Sequence, residues 1–283
     1  MWLAVFASLG FVLLDVLRRI LGRRLPTWQV VVGINAGAGT LLLPVLFYEG
    51  IPAFDYWFVG LASLEAVNFA VTSFLYVQAV RLSPLSLTVP YLSFTPLVSA
   101  VAAWLILGEV PPFRGWVGIS LLLAGGILLH GGEGRGWLRL CLAPLREPGT
   151  RRMLIVAAVW GVTTSVDKLA IQHGSEALLG AWMSLGGALL ILLFRPRLGD
   201  EGQSSESSGS AGLLLAAAAV AGAAVLAQFY AYRTTLVAYV EAVKRAGGFV
   251  SALLGVVAFG EGRFRHRIPA AALMLAGVLL IVL

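Results

Sequence analysis

The chain contains one cysteine, Cys141, in 283 residues, which excludes an intrachain disulfide framework and any thiolate cluster for a metal. Charge is also scarce. Asp, Glu, Lys and Arg make up 12% of the residues, about half the share of a soluble domain. The three histidines, His130, His173 and His266, fall at the ends of apolar runs or in loops. None forms a paired metal motif or a Ser-His spacing usable for catalysis. A Walker A sequence is absent, so any energy input is expected from a gradient rather than from ATP. No enzyme activity, cofactor or metal is expected. The net charge of +6 would raise nucleic acid as a partner in a soluble protein. Here the Arg residues lie between apolar runs, where they report topology and contact with anionic headgroups, and no nucleic-acid partner is expected.

Apolar sequence is abundant: 59% of residues are hydrophobic. Runs long enough to cross a bilayer, about 20 residues each, fall at 2–20, 27–48, 57–77, 84–107, 113–130, 152–172, 177–194, 212–233, 236–259 and 264–283. The opening MWLAVFASLGFVLLDVLRR has no basic segment ahead of its apolar run and reads as the first span rather than a signal peptide. The expected fold is an all-α polytopic membrane protein with ten transmembrane helices, located in the cell membrane with the lipid bilayer as its surroundings. Two longer loops interrupt the pattern, His130 to Arg151 and the Gly/Ser/Glu-rich Arg195 to Gly212. Most Arg residues gather in alternate loops, from Arg18, Arg19, Arg23 and Arg24 to Arg263, Arg265 and Arg267, whereas the other side has Arg114, Lys168 and Arg233. The positive-inside rule makes the crowded loops cytoplasmic and both termini external.

The segment Arg81 to Glu109, RLSPLSLTVPYLSFTPLVSAVAAWLILGE, organises the chain. Pro84 suits a first helical turn, but Pro90 and Pro96 each remove a backbone hydrogen bond and crowd the preceding turn. In a bilayer such a break is tolerated where its freed carbonyls face protein or a wet cavity. Shifted by 152 residues, the segment returns without gaps: Arg81 falls on Arg233, Val98-Ser99-Ala100 on Val250-Ser251-Ala252, Gly108-Glu109 on Gly260-Glu261, and Asp15 on Asp167. An internal duplication follows, dividing the chain into a first repeat at 1–130, an inter-repeat loop at 131–151 and a second repeat at 152–283. Five spans per copy is an odd number, so the copies form two inverted five-helix repeats.

Ser83-Pro84 with LSLTVPYLSFTPLVSAVAAWLILGE, the downstream LLLAGGILL, and the second copy YVEAVKRAGGFVSALLGVVAFGE ending in VLLIVL resemble the EamA type of the drug/metabolite transporter superfamily. The resemblance spans essentially the whole chain. It implies a ten-helix carrier whose central cavity is walled by the third, fourth, eighth and ninth spans, helped by the first and sixth. It implies a secondary transporter, an exporter of a small metabolite, amino acid or drug-like solute. The alternative is a flippase for lipid-linked groups or a membrane scaffold without transport. Members of the family are usually drawn with cytoplasmic termini, opposite to the charge count. Where the first copy has Pro90 and Pro96, the second has Ala242 and Gly248.

Charges inside spans mark candidate sites, because each costs at least about 2.5–3.5 kcal/mol unless paired or hydrated. Glu241 reaches Lys244 at i+3 and Arg245 at i+4 on one helix face. One acid against two bases leaves a positive charge over. Glu241 with Arg245 is read as a structural pair. Lys244 is the cavity cation, held near Glu65 when empty and exchanged onto an anionic substrate group when loaded; a closed structural bridge from Glu65 to Lys244 or Arg245 is the alternative. Asp15 and Asp167 occupy equivalent positions. Asp15, with Arg18 and Arg19 nearby, is assigned to structural pairing, while Asp167 is the proton-coupling candidate, with a span anchor as its alternative role. Asn68 and Thr72 continue the Glu65 face as the polar wall of a small-molecule site or as helix-to-helix glue. Gln228 and Tyr232 supply polar groups from the eighth span, Tyr91 and Phe94 apolar surface near the prolines. Trp160 needs a packed slot or a cavity. Glu109 and Glu261 end their spans against the helix dipole and should bond backbone groups or loop Arg residues.

Overall fold

The computed structural model describes residues 2–83, 88–128, 147–194, 210–245, 247 and 268–282. Among them the chain forms ten α-helices. The first copy supplies α1 (Trp2–Arg24), α2 (Thr27–Glu49), α3 (Tyr56–Leu82), α4 (Thr95–Leu107) and α5 (Phe113–Leu128). The second supplies α6 (Pro148–Gln172), α7 (Glu176–Phe194), α8 (Ser210–Thr234), α9 (residues 237–245) and α10 (Ile268–Val282). Pro84, Gly248, Val250-Ser251-Ala252, Gly260-Glu261 and nearly all of both long loops lie outside the described residues.

Five helices, α2, α3, α6, α7 and α8, are long and apolar enough to cross a membrane, with mean hydropathies of 1.6 to 2.1 over their best windows. Helix α1 carries Asp15, Arg18, Arg19, Arg23 and Arg24 within its length, and α4, α5 and α10 are shorter apolar helices. The outer surface is what a bilayer requires. Large apolar side chains such as Leu9, Leu105, Phe113 and Leu193 are exposed on the bundle, a pattern that in water would drive aggregation. The protein is a multi-pass membrane protein.

Packing respects the duplication. Helix α1 packs on α8 as α3 packs on α6, and α2 on α8 as α3 on α7, while α2 pairs with α7 and α5 with α10. Exchanging the copies leaves this list unchanged. The α5–α10 crossing is tight: a Cβ on Gly277 would lie 2.6 Å from the Gly118 carbonyl oxygen, so only glycine allows the backbones this close.

The break expected within the fourth span at Pro90 and Pro96 takes a definite form. Residues Val89–Phe94 make a 3-10 turn containing Pro90, and the α-helix starts only at Thr95, with Pro96 in its first turn. Pro96 therefore sits where its missing N–H costs nothing. Helix α4 ends at Gly108, whose φ of +70° needs no Cβ. There the Glu109 and Gly108 amides return to the Ala103 and Trp104 carbonyls, a Schellman-type stop.

Contacts fix the two ends of the bundle. At one end Arg19 reaches the Val80 and Ser83 carbonyls, Ser83 Oγ donates to Glu147, and Arg152 Nε donates to Gln78 at 3.0 Å. Helix α1 thus finishes where α6 begins. At the other end Asp55 caps α3 by accepting from the Phe58 amide at 2.9 Å and meets His173 at the end of α6. The Phe58 N–H, helped by His173, holds the Asp55 carboxyl below its ordinary value against the opposing effect of burial.

Candidate functional site

A cavity of about 1020 Å³, its mouth included, lies among α1, α2, α3, α6, α7, α8 and α9 and the 3-10 turn. Its wall draws on matching positions of the two copies. At the 152-residue offset Phe11 corresponds to Thr163, Asp15 to Asp167, Phe69 to Ala221, Tyr76 to Gln228 and Leu92 to Lys244, and all ten line the cavity. The site therefore lies on the axis relating the repeats.

Helix α3 supplies a polar stripe, as its sequence spacing requires. Glu65, Asn68, Thr72 and Tyr76 recur at i+3 and i+4 and all face the cavity. Asn68 Nδ2 approaches Glu65 Oε1 at 3.4 Å, Thr72 Oγ1 donates to the Asn68 carbonyl at 2.7 Å, and Trp160 Nε1 donates to Thr72 Oγ1 at 3.0 Å. Trp160 is both packed and cavity-lining. It stacks on Tyr76 with ring centroids 5.6 Å apart and planes 22° from parallel. Arg18 lies over the Tyr76 ring at 4.7 Å and Arg245 over Trp160 at 5.6 Å. Two cations thus bracket two stacked rings.

Helix α9 brings the Glu241 cluster. Glu241 is fully buried behind the wall and accepts from Lys244 Nζ at 2.6 Å on Oε1 and from Arg245 at 2.7 Å on Oε2. Tyr232 Oη donates to Glu241 Oε1 at 3.1 Å while accepting from Gln228 Nε2 at 2.8 Å. Lys244 also lies over the Phe11 ring at 4.7 Å. The expectation that Lys244 rests near Glu65 needs correction. With one carboxylate oxygen for each cation, Glu241 holds both, and Glu65 has Asn68 as its hydrogen-bond partner among the described residues.

Helix α6 brings Asp167. It is 5% exposed, lines the cavity, and its Oδ1 has no hydrogen-bond partner among the described residues. Lys244 and Glu241 act on it through charge, and it acts in turn on Glu65. Its neighbour Lys168 turns elsewhere, to Glu109 Oε1 at 2.5 Å and the Thr235 carbonyl at 3.2 Å. Glu109 Oε2 accepts the Val237 amide at 3.0 Å. The carboxylate after α4 thus ties α6 to the start of α9.

Of the expected solute contacts, Glu65, Asn68, Thr72, Trp160, Gln228 and Lys244 line the cavity, whereas Tyr91, Phe94 and Tyr232 do not. Tyr91 and Phe94 pack with Val80, Met153 and Val156. The reason is the 3-10 geometry: with three residues per turn Val89 and Leu92 share the cavity face, and Tyr91 and Phe94 turn away. Tyr232 is buried one turn behind Gln228, holding it and Glu241. Asp15 and Arg245, expected to be structural, both line the wall, and Asp15 accepts from Tyr76 Oη at 2.5 Å. Tyr76 and Arg18 were missed as wall residues. Tyr76 extends the Glu65 stripe by one further turn and was legible on that ground, whereas Arg18 read as a topology marker and as a base beside Asp15.

No curated protein matches the chain. Solved structures do, among them one described as "Crystal structure of protein", with 20% identity, 98% of each chain covered and a TM-score of 0.75, a likeness of fold. The profile of the EamA-like transporter family matches residues 1–130 and again residues 151–283, and the chain belongs to that family, within the drug/metabolite transporter superfamily.

Proposed function

We propose that this chain is a secondary carrier that exports a small solute across the cell membrane by alternating access around the central cavity. The observation that supports this reading is the cavity wall itself, built from equivalent positions of both copies. An odd number of spans per copy inverts the second repeat, and α1 ending where α6 begins agrees with that. Two inverted halves around one site can exchange conformations and so expose the site to either face in turn. The tie from Lys168 to Glu109 and the α8–α9 turn lies at the end opposite the Arg-rich loops and would act as the external latch. Proteoliposomes loaded with a mixture of amino acids and amines, diluted into solute-free buffer under an imposed pH gradient, should release at least one solute faster than protein-free vesicles. Mass spectrometry of the medium reads the result, and release no faster than from empty vesicles for every solute would reject the carrier.

The orientation that accompanies this reading puts the Arg-rich loops in the cytoplasm and both termini outside. Tyr48, at the end of α2, is 93% exposed, and Arg24, at the end of α1, is exposed at the opposite end. In a Cys141→Ala background, Tyr48→Cys should react with an impermeant maleimide in intact cells and Arg24→Cys should react only after lysis. The reverse pattern would restore cytoplasmic termini.

A further inference from the structure

We infer that the cavity selects a solute carrying one protonated amine on an apolar or aromatic body, with Glu65 and Asp167 as the seat for the ammonium. This rests on the carrier reading and names its substrate class. Counted along the sequence, Glu241, Lys244 and Arg245 leave one positive charge over, which Glu65 alone could balance. Folding adds a group that the count omits. Asp167 of α6 shares the cavity wall with Glu65 of α3 and Lys244 of α9 and is electrostatically linked to both. Three carboxylates, Glu65, Asp167 and Glu241, then face two cations, Lys244 and Arg245. With all three ionised the cluster is short of one positive charge, which a proton or a cation supplies.

The shortage falls on the cavity side. Both cations are engaged by Glu241, and each also lies over a ring, Lys244 on Phe11 and Arg245 on Trp160. Glu65 and Asp167 are 3% and 5% exposed, and among the described residues the buried Asp167 oxygen Oδ1 has no hydrogen-bond donor. A buried carboxylate oxygen in that state calls for an N–H or O–H group as well as a charge. An ammonium supplies both. Arg18 is engaged elsewhere on the wall. It covers Tyr76, eleven residues beyond Glu65 on α3, about 16 Å along the helix axis. Phe69, Phe229 and Met183 complete the wall with apolar surface for the rest of the solute.

The test is equilibrium binding to the purified full chain in detergent, by calorimetry with thermal stabilisation as a second readout, at pH 7 and fixed sodium. Three matched probes differ in the head group: 2-phenylethylamine, 2-phenylethanol and 3-phenylpropionate. The amine should bind at least tenfold more tightly than the alcohol or the acid, and benzyltrimethylammonium, which has charge but no N–H, should bind more weakly than the primary amine. Glu65→Gln and Asp167→Asn, near-isosteric changes, should each lower amine affinity at least tenfold in protein that stays monodisperse. Preference for the acid, no preference among the head groups, binding of sodium in place of the amine, or unchanged amine affinity in both variants would overturn the inference. The assay needs no transport. An anionic or neutral solute released in the vesicle experiment would leave the carrier reading standing while this assignment fell.

Discussion

Asp167→Asn should reduce accumulation of solute against a gradient by at least tenfold, to the level of passive equilibration, in protein that is folded and inserted as before. The asymmetry between function and stability follows from the side chain's surroundings. Among the described residues its Oδ1 has no hydrogen-bond partner, so an amide of the same shape breaks no bond at that oxygen. What it removes is a charge. With Asp167 ionised the inner cluster carries one negative charge in excess, and an uncompensated charge away from water costs several kcal/mol. A proton or a cationic group must therefore be present in each state of the cycle, and the exchange of one for the other is what can couple solute to a proton gradient. With Asn at 167 the cluster of two acids and two bases is already neutral, so nothing compels the exchange. Asp15→Asn gives the contrast. Asp15 accepts from Tyr76, which carries the stack with Trp160, so its loss should lower stability and leave coupling in place. Vesicles reconstituted with each variant, driven by an acid-inside or acid-outside gradient, separate the two. Asp167→Asn protein that still concentrates its solute would return this residue to a structural role.

Regular helix carried its information in the sequence, and departures from it did not. The stripe Glu65, Asn68, Thr72 was legible because a period of 3.6 residues survives folding unchanged, and the same rule extends it to Tyr76. The offset of 152 residues told which positions of the two copies are equivalent, Asp15 and Asp167 among them. The prolines announced a break within the fourth span. What they could not announce was its geometry, and the change from 3.6 to three residues per turn moved Tyr91 and Phe94 off the wall and brought Val89 and Leu92 onto it. Partnerships across helices were the second obscure class. Lys168 adjoins Asp167 in sequence, yet neighbours on a helix point about 100° apart, and Lys168 reaches Glu109 instead. The balance of charge at α9 was counted without Asp167 for the same reason. Asp167 is 74 residues before Glu241 and reaches the cluster only through tertiary packing.

Glu241→Gln should cause the largest loss of stability. Glu241 is 0% exposed and is the common acceptor for Tyr232, Lys244 and Arg245. Glutamine keeps the volume but offers one carbonyl oxygen in place of two charged ones, and its amide points donors at groups that are themselves donors. Two buried cations then lose the one carboxylate that binds them both. Removing one partner of a buried ion pair costs about 3–5 kcal/mol, which lowers a melting midpoint by on the order of 10 °C in a chain of this size. The expected signs are poor yield of monodisperse protein and a midpoint depressed by about that amount. If charge rather than shape is responsible, a second change that removes one cation should return part of the loss. Glu241→Gln with Lys244→Met leaves Arg245 alone, and its midpoint should lie above that of the single Glu241→Gln variant. A double-mutant cycle over these two positions measures the coupling directly, without assigning an energy to either contact. A Glu241→Gln protein as stable as the parent, or a double variant that is simply the sum of two losses, would show that Glu241 does not hold the cations of the cavity in place.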